Sequence, residues 1–158
     1  MPLYRFHIDA TVPPQTVTER IRCAVRKNGG LGEYFRTTWG GRIPEGPPFI
    51  GSVQEYSFRI RRIIRYRNSF RPLVWGNIVP TPTGARIKVT IFMHPFTLAF
   101  MLFWLGIVGR GALMDQSTSH TILWGMFILG IALCIGGFVP EVAKAKRLLS
   151  TIVLDLPQ

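Results

Sequence analysis

The sequence predicts an α+β membrane protein, in which a small antiparallel β-sheet with one or two helices accompanies a two-helix transmembrane hairpin. Two segments, Val89–Gly109 and Gln116–Pro140, contain no charged residue, although the 158-residue chain has a net charge of +11. Basic and apolar residues are therefore separated along the chain. We expect a basic cytoplasmic α+β domain over residues 1–93, a transmembrane hairpin over 94–140 and a cytoplasmic C-terminal helix over 141–158.

The hairpin is predicted from segment length. Crossing the hydrocarbon core of a bilayer takes roughly 20 apolar residues in a helix, and each charge-free segment supplies them, one beginning at Pro95 and the other running from about Thr121 to Val139. A soluble domain of this size rarely buries two helices that are apolar all round. Small residues let helices approach closely in lipid, so we expect Gly106 and Gly109 to face Gly125, Gly130, Ala132 and Gly136.

The distribution of basic residues predicts the topology. Of the 19 lysines and arginines, 15 lie in residues 1–93, only Arg110 lies in the loop between the spans, and three lie in the tail. Positively charged flanks stay on the cytoplasmic side. The prediction is a multi-pass protein of the cell inner (plasma) membrane with both termini cytoplasmic. We expect no cleavable signal peptide, because the N-terminus leads directly into an alternating strand pattern.

Outside the predicted spans, apolar residues recur at every second position, as in strands, or every three to four positions, as in helices. These spacings indicate a small α+β domain. The predicted elements are a strand over 4–10, a helix from Pro13-Pro14 to Lys27, a Gly- and Pro-rich loop over 28–48, strands over 52–67, 73–79 and 85–92, and a tail helix over 141–154. In the tail helix, Val142, Leu148, Leu149 and Ile152 are expected to pack on the sheet.

The segment 58–67 is unusually rich in arginine. Strand alternation would place Arg59, Arg61, Arg65 and Arg67 on one face and Phe58, Ile60, Ile64 and Tyr66 on the other. With Arg71, these arginines are the candidate lipid- or partner-binding residues. Against anionic headgroups each would contribute about 1 kcal/mol. The alternative is a solvated face that fixes topology. Nucleic acid is disfavoured, since aromatic side chains on the opposite face could not stack bases beside the arginines.

The segment after the arginines predicts a turn. Asn68 and Ser69 hydrogen-bond readily to their own backbone, and Phe70 and Pro72 would then anchor the turn on the next strand. A binding role for Asn68, Ser69 and Arg71 is the alternative.

Catalytic and metal-binding patterns are not found in the sequence. His7 falls on a strand, His94 at a membrane boundary and His120 beside the loop. Cys23 and Cys134 are likewise far apart in the predicted topology. A metal site needs ligands from one place, and the eight acidic residues are scattered. We therefore predict no catalytic residue, no metal and no cofactor, and a protein that is not an enzyme.

Several short segments together resemble a known kind of protein. They are 49–53, 58–60, 66–72, 84–88 and His94-Pro95. Over residues 49–110 the chain resembles small bacterial membrane proteins of uncharacterised function, in which a basic β-rich domain precedes a two-helix hairpin. The order of elements is also similar to bacterial pleckstrin-homology-like domains split by membrane helices. The resemblance implies an architecture and carries no activity.

Together these features predict a non-catalytic integral membrane protein that acts as a membrane-anchored interaction module. Its basic face would meet anionic lipid headgroups or an acidic partner, such as another membrane protein. The alternative is an accessory subunit of a membrane enzyme or transporter complex. The oligomeric state stays open.

Overall fold

A computed structural model gives the fold over residues 3–27, 46–64, 68–114 and 119–154. The elements in chain order are β1 (Leu3–Ala10), α1 (Pro14–Cys23), β2 (Val25–Lys27), β3 (Phe49–Val53), β4 (Ser57–Arg62), β5 (Pro72–Thr81), β6 (Gly84–Met93), α2 (Pro95–Met114) and α3 (Ser119–Leu154). The α+β class predicted from the sequence is confirmed. The predicted loop over 28–48 falls mostly outside the described residues.

The six described strands form one sheet in the order β1-β6-β5-β4-β3-β2. Neighbouring strands are antiparallel except β2 and β3, which are parallel. The expectation of a purely antiparallel sheet is therefore wrong at one edge. The reason lies after α1: the predicted helix to Lys27 stops at Cys23, and Val25–Lys27 extends beside β3 instead. The Phe49 amide, which donates to the Ala24 carbonyl at 3.2 Å, fixes this pairing.

Residues 49–62 form a hairpin of two strands rather than the single long strand, bent or bulged, that is predicted over 52–67. β3 and β4 are joined by a turn at 54–56, where the Gln54 amide donates to the Ser57 carbonyl at 2.7 Å. β4 ends at Arg62, and residues 65–67 lie outside the described part of the chain. The other two predicted strands are confirmed with slightly wider bounds, as the hairpin of β5 and β6.

One face of the sheet is covered by helices and forms the core. α1 contributes Val17 and Ile21, the apolar face that its sequence predicts, and the sheet contributes residues such as Phe58, Ile87 and Ile91, all at most 3% exposed. Burying a side chain of this size contributes about 1.5–3 kcal/mol relative to leaving it in water. The core therefore brings together side chains from the first and the last thirds of the described chain, which pack on the strands that lie between them in sequence.

The C-terminal part of α3 is the second helix of this core. Val142 and Leu149 are buried, and Leu148 and Ile152 pack against the core, as the sequence predicts for the tail helix. The Arg20 guanidinium also donates to the Val153 carbonyl at 2.9 Å, which links α1 to the end of α3. The sheet is consequently covered by elements from both ends of the chain.

α2 and α3 pack as a hairpin, and both are long and apolar enough to cross a membrane. α3 is 36 residues long and continues through Pro140, which makes it about 54 Å in length. Large apolar side chains on both helices remain exposed, among them Phe96, Phe103, Ile122 and Leu129, each more than half exposed. The described part of the chain thus leaves most of α2 and most of the charge-free part of α3 unburied.

The contact between α2 and α3 uses only some of the predicted small residues. A Cβ added at Gly109 would lie 3.0 Å from the Phe127 ring, and one at Gly130 would lie 2.5 Å from the Trp104 ring. These two glycines therefore admit an aromatic ring from the opposite helix. Gly106, Gly125 and Gly136 have open space where a Cβ would be, and Ala132 is exposed, so the prediction that they line the contact is wrong.

Candidate functional site: the open face of the sheet

The side of the sheet opposite α1 and α3 is the surface on which the predicted arginines would lie. We call it the open face, since none of the described helices packs on it. Strand alternation and register assign to it the side chains of Arg5, His7, Asp9, Arg26, Ile50, Ser52, Ser57, Arg59, Arg61, Leu73, Trp75, Asn77, Val79, Arg86, Lys88, Thr90 and Phe92. Ile50, opposite Arg61, is only 1% exposed, so the face is covered at that position.

An arginine and a tryptophan are stacked in the middle of the open face. Arg59 lies opposite Trp75 in the register, and its guanidinium carbon is 4.7 Å from the centre of the indole ring. Phe92 meets the same indole edge-on at a centroid distance of 4.7 Å. Trp75 remains 45% exposed. A guanidinium over an aromatic face gains about 0.5–1 kcal/mol at an exposed site, so this contact holds the Arg59 charge at a fixed place on the sheet.

Two aromatic residues lie on the same face of the sheet as Arg59, which the sequence did not predict. The prediction that the aromatic residue alternating with the arginines points away from them is correct for Phe58, which is buried in the core. Trp75 and Phe92, on the two neighbouring strands, nevertheless lie on the same side as Arg59. The alternation of buried and exposed positions within β5 was the signal for Trp75, but only strand order could bring it beside Arg59.

A shallow depression of about 300 Å³ lies beside this stacked pair. It is lined by Ser52, Gln54, Ser57, Phe58, Arg59, Trp75, Gly76 and Asn77. Hydroxyl and amide groups can donate to an anionic oxygen, and the guanidinium can bind a carboxylate or phosphate with two parallel hydrogen bonds. The depression therefore suits an acidic group that also presents a flat or apolar part to Trp75.

The open face is strongly basic. Its only carboxylate among the described residues is that of Asp9, which accepts hydrogen bonds from the Arg86 guanidinium at 2.6 and 3.2 Å. This hydrogen bonding, together with the positive charge of Arg86, lowers the pKa of Asp9 below its ordinary value. Asp9 is consequently ionised at neutral pH and already paired. It leaves Arg5, Arg59 and Lys88 to face solvent as exposed side chains.

The predicted site residues are not all brought together. Arg59 is exposed at the centre of the open face, whereas Arg61 is half-buried one register row away, opposite Leu73. Arg65 and Arg67 lie outside the described residues. Arg71 is half-buried just before β5. Of the four alternating arginines, β4 contains Arg59 and Arg61, because this strand ends at Arg62.

Arg62, which was not among the predicted site residues, connects the sheet to α3. Its guanidinium is 2.6 Å from the Glu141 carboxylate, and Glu141 is only 2% exposed. The Lys144 ammonium lies 3.7 Å from the other carboxylate oxygen. Burying an ionised carboxylate is costly unless it is paired and hydrogen-bonded. The pair therefore fixes the position at which the sheet meets α3.

The predicted turn at Asn68-Ser69 is present and contacts both long helices. The Asn68 side-chain carbonyl accepts from the Phe70 amide at 2.9 Å, and its amide group donates to the Gly137 carbonyl of α3 at 3.0 Å. The Ser69 carbonyl accepts from the Thr97 hydroxyl of α2 at 3.0 Å. Gly137 leaves room for the Phe70 ring, which would lie 2.5 Å from an added Cβ. The turn thus fastens the sheet to the hairpin.

Replacing Asn68 by alanine should lower the free energy of unfolding by about 1–2 kcal/mol, because two hydrogen bonds of a half-buried group are lost. Thermal unfolding of the full chain in detergent measures the change. Asn77→Ala, on the exposed open face, is the matched control and should change stability by less than about 0.5 kcal/mol. Equal effects of the two substitutions would contradict a fastening role for Asn68.

Comparison with known proteins gives little further information. No protein-family model and no curated protein matches the chain. Three solved structures are distantly similar. A protein from Chromobacterium violaceum is 12% identical, with 59% of this chain and 80% of that chain covered and a TM-score of 0.36. One from Mesorhizobium loti is 9% identical, with 85% and 96% covered and a TM-score of 0.35. One from Nitrosomonas europaea is 13% identical, with 85% and 94% covered and a TM-score of 0.33. Similarity this remote assigns no function, and the resemblance to bacterial two-helix membrane proteins stays a prediction.

Proposed function

We propose that the protein is a non-catalytic, membrane-anchored interaction module whose open face binds an acidic protein partner. In this proposal α2 and the charge-free part of α3 cross the inner (plasma) membrane of a bacterium. Their length, their exposed apolar side chains and the basic flanks on both sides of the hairpin support insertion with both termini cytoplasmic.

The connections between sheet and helices support a particular orientation. β6 ends at Met93 and α2 begins at Pro95, so the end of the sheet, rather than a face, adjoins the spans. α3 then follows β1 away from the membrane, since Lys146 lies over the Tyr4 and Phe6 rings. If the strands run along the axis of the spanning helices, the plane of the sheet is roughly perpendicular to the bilayer surface. Its open face is then turned sideways into the cytoplasm.

This orientation favours a protein partner over the lipid surface for the exposed arginine. Arg61 lies nearer the spans than Arg59 does, opposite Leu73, which in turn pairs with Phe92. Arg59 lies two residues further along the strand, about 7 Å away, and the surface potential declines over a Debye length of about 8–10 Å. Arg61 and Arg71 would therefore experience a stronger lipid surface potential than Arg59, whose stack on Trp75 faces sideways into the cytoplasm in this orientation.

The observation that carries the proposal is the exposed stack of Arg59 on Trp75, in a surface to which the described residues contribute one carboxylate. Tryptophan and arginine are the side chains most enriched in the energetic centres of protein interfaces. Basic surroundings steer an acidic partner toward them. An acidic segment could place a carboxylate on Arg59 and an apolar side chain on the indole.

A second candidate, an accessory subunit of a membrane enzyme or transporter complex, is favoured by a different observation. Gly106, Gly125 and Gly136 present open space on the outside of the hairpin. Exposed glycines of this kind allow another transmembrane helix to approach closely. Purification of a stable complex from mild detergent would favour this candidate over a module that works alone.

The primary proposal is tested in two steps on the full chain. Alkaline carbonate washing of membranes should leave the protein in the pellet, and release would contradict membrane anchoring. The protein is then placed in phosphatidylcholine nanodiscs and titrated with a labelled poly-glutamate peptide over a salt series. Binding should weaken as salt rises and should fall about fivefold in Arg59→Gln. Arg22→Gln, an exposed arginine of α1 on the other side of the sheet, is the matched control. Equal loss in both variants would show charge attraction without a site.

A further inference from the structure

A groove lies between β1 and α3 on the other side of the molecule from the open face. Its volume is about 500 Å³. Its lining changes character along its length: Phe138, Val139, Val142 and Ala143 line one part, and Tyr4, Lys146, Arg147 and Ser150 line the other. The groove is therefore mostly apolar, and the basic and hydroxyl groups that line it belong to Lys146, Arg147 and Tyr4 at one end.

This change coincides with the end of the charge-free segment of α3. Val139 immediately precedes Pro140, after which charged residues return. Lys146 lies seven residues beyond Val139, about 10 Å further along the helix axis. Helical side chains tilt toward the N-terminus of their helix, and a lysine stem can extend toward a membrane interface. The ammonium group contacts Tyr4, whose register partner Ile91 lies two residues before the end of β6, so it lies at the end of the sheet that adjoins the spans. The polar headgroup layer is about 5–8 Å thick in each leaflet.

The Lys146 ammonium is held in place by neutral groups. It donates to the Tyr4 hydroxyl oxygen at 3.1 Å and lies 5.4 and 5.3 Å from the centres of the Tyr4 and Phe6 rings. Within the described part of the chain, no carboxylate pairs with Lys146 or Arg147. The charge of Lys146 is therefore positioned without being neutralised. The Tyr4 hydroxyl keeps its own proton for donation to another acceptor.

We infer that this groove binds one anionic phospholipid of the cytoplasmic leaflet. The inference rests on the proposed membrane insertion. The acyl chain lies against Phe138 and Val139, and the phosphate accepts hydrogen bonds from Lys146, Arg147 and Tyr4. The two basic side chains at one end of the groove favour an anionic occupant over a neutral one. The continuity of the groove with the apolar segment of α3 favours a molecule that has both a phosphate and a hydrocarbon chain.

The experiment is native mass spectrometry of the full chain, titrated in detergent with phosphatidylglycerol or with phosphatidylcholine of the same acyl chains. We expect one phosphatidylglycerol to be retained in preference to phosphatidylcholine. Lys146→Gln should weaken phosphatidylglycerol binding about fivefold, and Lys146→Arg should preserve it. Tyr4→Phe, which keeps the ring and loses the hydroxyl, should weaken it about threefold.

Lys88→Gln is the matched control, because it removes the same charge from the open face. Equal affinity for the two lipids, or equal losses in Lys88→Gln and Lys146→Gln, would overturn the inference. Should Lys146→Gln fail to fold, the comparison of Tyr4→Phe with Lys88→Gln decides. If the protein resists carbonate washing but shows no preference for phosphatidylglycerol, the proposed anchoring stands and the phospholipid site is wrong. If carbonate releases the protein, both proposals are wrong.

Discussion

Replacing Arg62 by methionine should lower the free energy of unfolding by about 3 kcal/mol, the largest effect expected from any charged residue of the sheet. The substitution leaves Glu141 buried with its carboxylate 3.7 Å from Lys144 and without the guanidinium at 2.6 Å. Thermal unfolding of the full chain in one detergent, followed by circular dichroism, measures the loss. For a chain of this size it corresponds to a fall in Tm of about 6–12 °C.

Two further variants separate the ion pair from general effects of losing an arginine. Arg22→Met removes an exposed arginine of α1 and should change stability by less than about 0.5 kcal/mol. The double variant Arg62→Met with Glu141→Met removes both charges, and should recover most of the loss because no buried carboxylate remains. Additive losses in the double variant would mean that the two side chains act independently.

Leu149→Ala should lower the free energy of unfolding by about 2–5 kcal/mol, since Leu149 is 1% exposed in the core beneath the sheet. Leu154→Ala on the same helix, at a position 42% exposed, is the matched control and should cost less than about 1 kcal/mol. The same thermal measurement applies. If Leu149→Ala were as mild as its control, the tail of α3 would not belong to the core of the sheet.

Because of this packing, a fragment of the chain is not a suitable material for binding experiments. A fragment limited to the residues before the spans would lack Val142, Leu149 and Val153, all of which are buried in the core. The apolar face of the sheet would then be exposed, and such a fragment would bind other molecules non-specifically through this hydrophobic surface. Lipid and partner experiments therefore need the full chain.

The local sequence pattern was sufficient to predict the elements that are strongly periodic or long. The alternation of apolar and polar residues in β6 and the charge-free segment of α2 gave these two elements nearly correct bounds, whereas α3 continues from the second charge-free segment through Pro140 to Leu154. The tail helix was also predicted to pack on the sheet through Val142 and Leu149, because its apolar residues recur at helical spacing. The turn at Asn68 followed from the side-chain chemistry of asparagine.

Features that depend on distant partners were missed. The turn at 54–56 contains no glycine, proline or asparagine, so nothing in the sequence separated β3 from β4. β2 exists only because Val25 and its neighbours find β3 across a long connection. The contact of Arg59 with Trp75 requires β4 and β5 to be paired in one register. The Arg62–Glu141 pair joins positions 79 residues apart.

The continuity of α3 from the second apolar segment into the sheet core has a consequence for biosynthesis. The strands are synthesised first, and the helix that covers them leaves the ribosome after all of them. Domains generally fold in the order of synthesis, but this one cannot finish until the hairpin has been made. Under the membrane insertion that we propose, both ends of the hairpin must also lie on the same side of the membrane, and a chain inserted with the tail on the wrong side would leave the inner face of its sheet bare. Correct topology would in this way be a precondition for a folded sheet domain, and cellular quality control could detect an insertion error as a folding error.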